Sequence, residues 1–335
     1  MSYFNASNTP FALNNGRAYQ QWRRWKLNHA ARHVDELIVP VHDPRNLSDT
    51  EVMALLSTIR HNNMVIYASR SCQDSDKSIP RKIAARFGLR NLNHNWLADD
   101  DGLTSLTVND AGSHPFYIPY TNRPINWHTD GYYNPADAQV CGLMLHCVHR
   151  AAHGGENALL DHEIAYILLR DENPAYIEAL MSQDAMTIPP GTDMHGNLRD
   201  AAVGPVFSVI AESGDLHMRY TMRQRNIIWK DDETVKEAIG FLEAILDSDL
   251  PCIHRATLEP GMGLISNNVL HDRSGFSDMV GLPQRLLYRA RYFDRITRSG
   301  IESIDEEELE DETRSERSRH FSGYSSPIAS TNSSP

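Results

Sequence analysis

The stretch Asn126-Trp127-His128-Thr129-Asp130-Gly131-Tyr132-Tyr133 decides how this 335-residue chain is read. Run as a strand into a turn, it alternates with period two, so His128 and Asp130 share one face and Trp127 and Thr129 the other. An imidazole and a carboxylate then aim at one spot. If a second imidazole arrives from elsewhere, the three make a two-histidine, one-carboxylate facial triad, which favours non-haem Fe(II) and leaves coordination positions open. A His-x-Asp tripeptide alone is commonplace, and an exposed pair beside a turn is its plainer meaning. The surrounding sequence has to decide.

The candidate second imidazole is His271, in Gly263-Leu264-Ile265-Ser266-Asn267-Asn268-Val269-Leu270-His271-Asp272-Arg273, where an apolar run of strand formers, read as one strand ending at His271, passes into a polar cluster. It lies 143 residues beyond His128, so only tertiary folding can join them. Next comes Pro283 to Phe293. As a strand this segment sets Arg285, Leu287, Arg289 and Arg291 on one face and Leu286, Tyr288, Ala290 and Tyr292 on the other. Alternate arginines usually line a solvated face. Buried beside a metal, a guanidinium instead becomes a bidentate grip for a carboxylate.

Four of these elements, in order, resemble the taurine dioxygenase-like (TauD/TfdA) family of Fe(II)/2-oxoglutarate-dependent oxygenases. They are Trp-His-Thr-Asp at 127–130, Gly-Gly-Glu-Asn at 154–157, Asn-Asn-Val-Leu-His at 267–271, and the arginines after Pro283-Gln284. The resemblance spans roughly residues 40–297. It implies a mainly β fold with flanking helices, a double-stranded β-helix (jelly roll, cupin-like).

The resemblance also implies roles. His128, Asp130 and His271 would hold Fe(II), and Arg285 would pair with the distal carboxylate of the co-substrate 2-oxoglutarate. Asn157 stands where the family usually has threonine, and its amide can donate the same hydrogen bond to 2-oxoglutarate. Arg289 would point at the substrate. O2 then splits 2-oxoglutarate into succinate and CO2 while a substrate C–H bond is hydroxylated. The related halogenases lack the carboxylate ligand, so Asp130 implies a hydroxylase. Asn91 occupies the offset after Arg86-Phe87-Gly88 at which the taurine enzyme has a substrate-binding histidine, and Pro124 replaces a family asparagine contact. Taurine itself is therefore disfavoured, and the expected substrate is a small polar molecule, with small carboxylates, amino acids, aryloxy acids, quaternary amines and sulfate or sulfonate compounds all open. A non-catalytic 2-oxoglutarate or metal sensor on the same fold, or a zinc hydrolase, are the competing readings. The complete triad with an arginine pair counts against both.

Composition narrows the classes further. The chain is 41% hydrophobic, enough for one large core, and is expected to be a single domain over 1–300 with an acidic, then Ser-rich tail over 301–335. The formal net charge is −12, and a short run from Glu302 to Glu312 supplies much of it. Such a run cannot bury enough apolar surface to fold. With no basic stripe, nucleic acid is an unexpected partner. No apolar run approaches the roughly 20 residues that cross a bilayer, so a cytoplasmic protein without a membrane partner is expected. Association into a homo-oligomer is left open. Cys72, Cys141, Cys147 and Cys252 have no Cys-x-x-Cys spacing and read as buried thiols.

The remaining segments read as scaffold. A short helix is expected over Tyr19–Leu27, and Ser48-Asp49-Thr50-Glu51 is a capping box that opens another. Pro80 opens a third, closed by Gly88. Strands are expected at Met64–Tyr67, Leu103–Val108 (after the Asp100-Asp101-Gly102 turn) and Val140–Val148. His146, His149 and His153 offer a rival metal set if helical, but strand spacing turns His146 and His149 to opposite sides. Asp161, Asn173-Pro174 and Asp232 each start a helix. Between Asp184 and Gly204 a loop is expected, and the arginines of 219–225 read as a solvated strand edge.

Overall fold

The alternating arginine segment becomes the centre of a sheet. In the computed structural model, which describes residues 9–70, 73–94, 99, 101–108, 118–192, 198–223 and 225–296, the framing elements run as follows. They are helix α1 (Gly16–His29), strand β1 (Ile38–Pro40), α2 (Asp49–Asn62), β2 (Met64–Ala68), α3 (Ser78–Arg86), β3 (Thr104–Leu106), β4 (Ile125–His128), β5 (Gly142–His149), β6 (Asn157–Leu160), α4 (His162–Glu172), α5 (Pro174–Leu180), α6 (Glu233–Leu246), β7 (His254–Ala256), β8 (Met262–Ser266), β9 (Leu270–Arg273) and β10 (Leu286–Tyr292). Cys72, Asp100 and the stretch beyond residue 300 lie outside the described residues.

Two sheets carry the site. One has the order β1-β2-β8-β5-β10-β3, the other β7-β6-β9-β4. Apart from the parallel β1–β2 pair, every pairing within them is antiparallel. Period-two alternation sorts their side chains into layers. On β5, Leu143, Leu145 and Cys147 join Leu264, Leu287 and, from the second sheet, Leu159 in one buried cluster. The opposite face of the first sheet, with Met144, Val148, Tyr288, Ala290 and Tyr292, packs on Val52, Leu55 and Ile59 of α2 and Ile79 and Ile83 of α3. Fully burying one such aliphatic side chain contributes about 1.5–3 kcal/mol. The outer face of the second sheet, through Trp127, Ala158, Leu160 and Leu270, packs on α1, α4, α5 and α6. The result is helix, sheet, sheet, helix.

Local chemistry explains where the helices begin. Ser48 and Glu51 form the expected capping box on α2, Asp161 accepts from Glu163 N at the start of α4, Asn173 with Pro174 opens α5, and Asp232 caps α6. Helix α1 is longer than Tyr19–Leu27 and buries Tyr19, Trp22, Trp25 and Lys26. No helix among the described residues is long and apolar enough to cross a membrane. Cys147 and Cys252 are buried free thiols and Cys141 is half-buried.

Several expectations are corrected. Residues 263–271 are not one strand: β8 belongs to the first sheet and β9 to the second. Asn268, at φ 53°, takes the left-handed turn between them, a conformation asparagine tolerates better than most residues. The Asp184–Gly204 stretch is not a loop, since it holds Met186–Ile188 paired with Ala202–Gly204 and a smaller Gly191–Thr192/Leu198–Arg199 hairpin. Arg219 is not on a solvated edge. It is buried and donates to the carbonyls of Ala202, Gly204 and Met186, pinning those strands together.

Candidate active site

His128 ends β4 and His271 sits in β9, and the two are direct cross-strand partners. Their rings stand 4.3 Å apart, centroid to centroid. Each Nδ1 lies 2.9 Å from the backbone carbonyl two residues earlier, Asn126 O for His128 and Val269 O for His271. A carbonyl only accepts, so each Nδ1 carries the proton and each Nε2 keeps its lone pair. Two neutral imidazoles therefore present ligand atoms from adjacent strands. Lost hydration, then the neighbouring His271, pushes the pKa of half-buried His128 down and keeps the ring uncharged.

Asp130 follows on a turn rather than in the strand. Asn268 clasps that turn: its Oδ1 accepts from Asp130 N at 2.8 Å, and its Nδ2 donates to Asp130 O and Val140 O at 2.9 and 2.7 Å. Gly131 has φ +69°, and a Cβ there would stand 2.5 Å from Val140 Cγ2, so glycine is required. Asp130 Oδ1 accepts from Arg289 Nη1 at 3.2 Å and lies 3.8 Å from Arg291 Nη1. Its Oδ2 is buried with no partner. Burial would raise this carboxyl, but Arg289 and Arg291 outweigh it and hold the pKa below the ordinary carboxylate value.

The donor chemistry fits a divalent metal: two imidazole lone pairs and one unspent carboxylate oxygen. As placed, no three His, Cys, Asp or Glu side chains among the described residues form a ready metal cage. Asp130 is engaged by arginine instead. His146, of the rival set, bonds the Tyr67 hydroxyl at 2.7 Å in the core.

The arginine row is buried, contrary to the ordinary meaning of such alternation: Arg285, Arg289 and Arg291 are 3%, 8% and 3% exposed. A register shift between Leu286 and Leu287 separates Arg285 from the other two. Arg285 lies over the Phe276 ring, 4.8 Å from its centroid, and lines a narrow cleft with Gly155, Asn157, Leu258 and Leu287. Burial pushes its pKa below the ordinary guanidinium value. The Gly154-Gly155 pair is explained here. Both have positive φ, a Cβ on Gly154 would collide with Gly275 O, and one on Gly155 would stand 3.3 Å from Arg285 Nε. Asn157 Nδ2 spends one donor on Asp272 O at 2.7 Å and keeps a second. None of His128, Asp130 and His271 lines this cleft.

Asn91 is put to a different use from the expected substrate contact. It is exposed, and its Nδ2 donates to Asp294 Oδ1 at 2.6 Å while its backbone N–H donates to the other carboxylate oxygen. Asn93 is the asparagine that reaches the arginines, accepting from Arg291 Nη2 at 2.6 Å. Three further residues had no role in the sequence reading. Arg291 donates to the Tyr133 hydroxyl at 2.8 Å. Arg273 donates to the carbonyls of Thr121 and Arg123, and burial followed by Arg285 and Arg289 pushes its pKa down to about 9. The period-two pattern already placed Arg291 on the right face. Nothing in the sequence distinguished Tyr133 or Asn93 from surface polar residues.

Similarity to known proteins follows the same lines. The family model described as "Taurine catabolism dioxygenase TauD, TfdA family" matches residues 31–291. A uridine-5'-phosphate dioxygenase from Amycolatopsis sp is 31% identical over 176 residues, covering 50% of this chain and 60% of that one. One from Streptomyces sp is 28% identical over 200 residues, covering 56% and 68%. The chain thus spans about 60% of the length of the first of these relatives. Among solved structures, asparagine oxygenase with Fe(II), hydroxyasparagine and succinate aligns with TM-score 0.53 at 15% identity, covering 72% of this chain and 79% of that one. The non-haem iron oxygenase OrfP with Fe and α-ketoglutaric acid aligns at 0.52 and 16%, covering 72% and 77%. These structures share the fold, mostly β with flanking helices. With more than three-quarters of its length matched by the family model, this chain belongs to the TauD/TfdA family.

Proposed function

We propose that this chain is an Fe(II)- and 2-oxoglutarate-dependent dioxygenase that hydroxylates a C–H bond of a small anionic molecule, releasing succinate and CO2. The observation that carries the reading is the pairing of His128 and His271, Nε2 lone pairs free, beside the unspent Oδ2 of Asp130 and a buried guanidinium row. The two facing sheets are read as a double-stranded β-helix, one catalytic unit ending near residue 300 and acting in the cytoplasm. The named substrate of the two relatives, uridine-5'-phosphate, is itself a small anion and supports an anionic substrate here.

Bound at these residues, Fe(II) would supply the activation of O2 by oxidation of 2-oxoglutarate. His128, His271 and Asp130 would hold it. The carbonyls of Asn126 and Val269 fix the tautomer and orientation of the two imidazoles. Arg285 would pair with the distal carboxylate of 2-oxoglutarate, with the remaining Asn157 amide N–H donating beside it. Leu258 and Leu287 line that cleft and withhold water, which strengthens the ion pair. Arg289 would draw the substrate anion toward the iron ligands and orient the reacting carbon.

The test is anaerobic addition of Fe(II) and 2-oxoglutarate to the full chain, followed by its weak visible charge-transfer band. The band should appear in the wild type and be absent in His128→Ala. Arg285→Ala should need about 10–100-fold more 2-oxoglutarate to reach it. A band that persists in His128→Ala would rule out the metal assignment.

A further inference from the structure

Arg289 and Arg291 stand two residues apart on β10 and point the same way, and both bring Nη1 to one oxygen, Asp130 Oδ1, at 3.2 and 3.8 Å. Asp130 is the one carboxylate paired with either guanidinium among the described residues. Both side chains are more than nine-tenths buried, and the Nε of each is a buried donor with no partner. Arg291 is held in place from two further sides, by the Tyr133 hydroxyl at 2.8 Å and Asn93 Oδ1 at 2.6 Å.

Two buried cations against one anion leave a surplus positive charge, and an uncompensated buried charge is strongly unfavourable. A surplus with unspent donors marks a place for an anion that the chain itself does not supply. The chemistry selects which anion. A carboxylate or sulfonate brings one negative charge, which one guanidinium matches. A phosphate monoester brings about −1.5 to −2 near neutral pH and three acceptor oxygens. Two fixed guanidiniums on one strand face suit the second.

We infer that Arg291 acts with Arg289 as a two-guanidinium clamp for the phosphate of a phosphate-monoester substrate, and that Arg291 sets the preference for a dianionic over a monoanionic head group. The inference rests on the dioxygenase reading above and deepens it. Arg285, beyond the register shift and in its own cleft, stays free for 2-oxoglutarate. The Tyr133 hydroxyl and Asn93 act through Arg291, orienting its planar group.

Calorimetric titration of the full chain, with Fe(II) and 2-oxoglutarate present and oxygen excluded, tests this by binding alone. The probes are methyl phosphate, methanesulfonate of similar size and single charge, uridine-5'-phosphate and uridine. Methyl phosphate should bind about tenfold or more tighter than methanesulfonate, and uridine-5'-phosphate far tighter than uridine. Arg291→Gln should bring the two small anions to within about twofold of each other while methanesulfonate binding holds. Arg289→Gln should weaken both anions. Arg291→Lys keeps the charge without the fork and should restore part of the preference, which guards against misfolding of the Gln variant. Equal binding of the two small anions by the wild type, or an unchanged preference in a folded Arg291→Gln, overturns the clamp. If 2-oxoglutarate still gives its charge-transfer band in that case, the dioxygenase reading stands and only the substrate class falls. If the band is absent, the broader reading has failed instead.

Discussion

Two clusters of buried charge in this molecule are opposites. Under the N-terminal helix, Lys26 Nζ lies 2.6 Å from both Asp161 Oδ2 and Glu163 Oε2, and all three side chains are at most 5% exposed. Both contacts are buried ion pairs. Asn63 Nδ2 and Glu163 N complete Asp161 through its other oxygen. Burial, opposed by Lys26 and reinforced by Glu163, raises the Asp161 pKa. This cluster is closed and ties α1 to α4. At β10 the contacts are longer, 3.2 and 3.8 Å, the sign of the surplus is positive, and donors and an acceptor are left over. The first cluster ties two helices together, and the second is the one proposed above to take a ligand.

The difference is open to attack from either side. Lys26→Met strips the closed cluster of its cation and strands two buried carboxylates. Unfolding by urea should show a loss of about 3–5 kcal/mol, with turnover per folded molecule unchanged. A loss under about 1 kcal/mol would mean the staple is not a staple.

The histidines adjoining that cluster give the next effect. Burial, then Arg295, pushes the His162 pKa down to about 3, and burial, then His162, does the same for His217. Both are neutral in the folded chain, while in the unfolded chain they take a proton near pH 6.5. The unfolded state therefore binds more protons between about pH 6.5 and 3. Stability is fully present above pH 6.5 and falls as pH drops through that window, by about 1.4 kcal/mol per pH unit for each histidine. Between pH 7 and 5, His217→Gln should lose about 2 kcal/mol less than the wild type. Parallel profiles would show that His217 is not buried neutral.

The smallest effect belongs to the open cluster. Arg289→Met removes a guanidinium that has one ion pair and an idle Nε, and Asp130 keeps Arg291 nearby. Because Arg291 still offsets the buried Asp130, urea unfolding without metal should show a loss of no more than about 1 kcal/mol. A loss as large as that of Lys26→Met would erase the distinction between the clusters.

The same contrast shows what could be read from sequence. Capping residues act locally, so Ser48, Asp161, Asn173 and Asp232 announced their helices correctly. Strand alternation is also local, and it put Arg285, Arg289 and Arg291 on one face. Whether that face is wet or dry depends on the opposing sheet, which no local pattern encodes. His128 and His271 were legible as motif positions, and the register that pairs them is a tertiary fact. Lys26 was unreadable for the same reason, since its partners Asp161 and Glu163 lie far along the chain and a lysine in an aromatic helix looks solvated. Asn91 and Asn93 were separated only by what packs against them: Asp294 claims the first and Arg291 the second. The stretch at 263–271 misled because a continuous apolar run hides the change of sheet at Asn268.

Asn268 has a consequence for biosynthesis. Its side chain grips the peptide of Asp130 from 138 residues downstream, next to the histidine that faces His128. During synthesis the early half-site emerges first, unsupported and without its cross-strand neighbour. A further 159 residues, from Asp130 to Arg289, must be translated before the arginines of β10 arrive. The pairing of His128 with His271 is therefore a property of the finished fold.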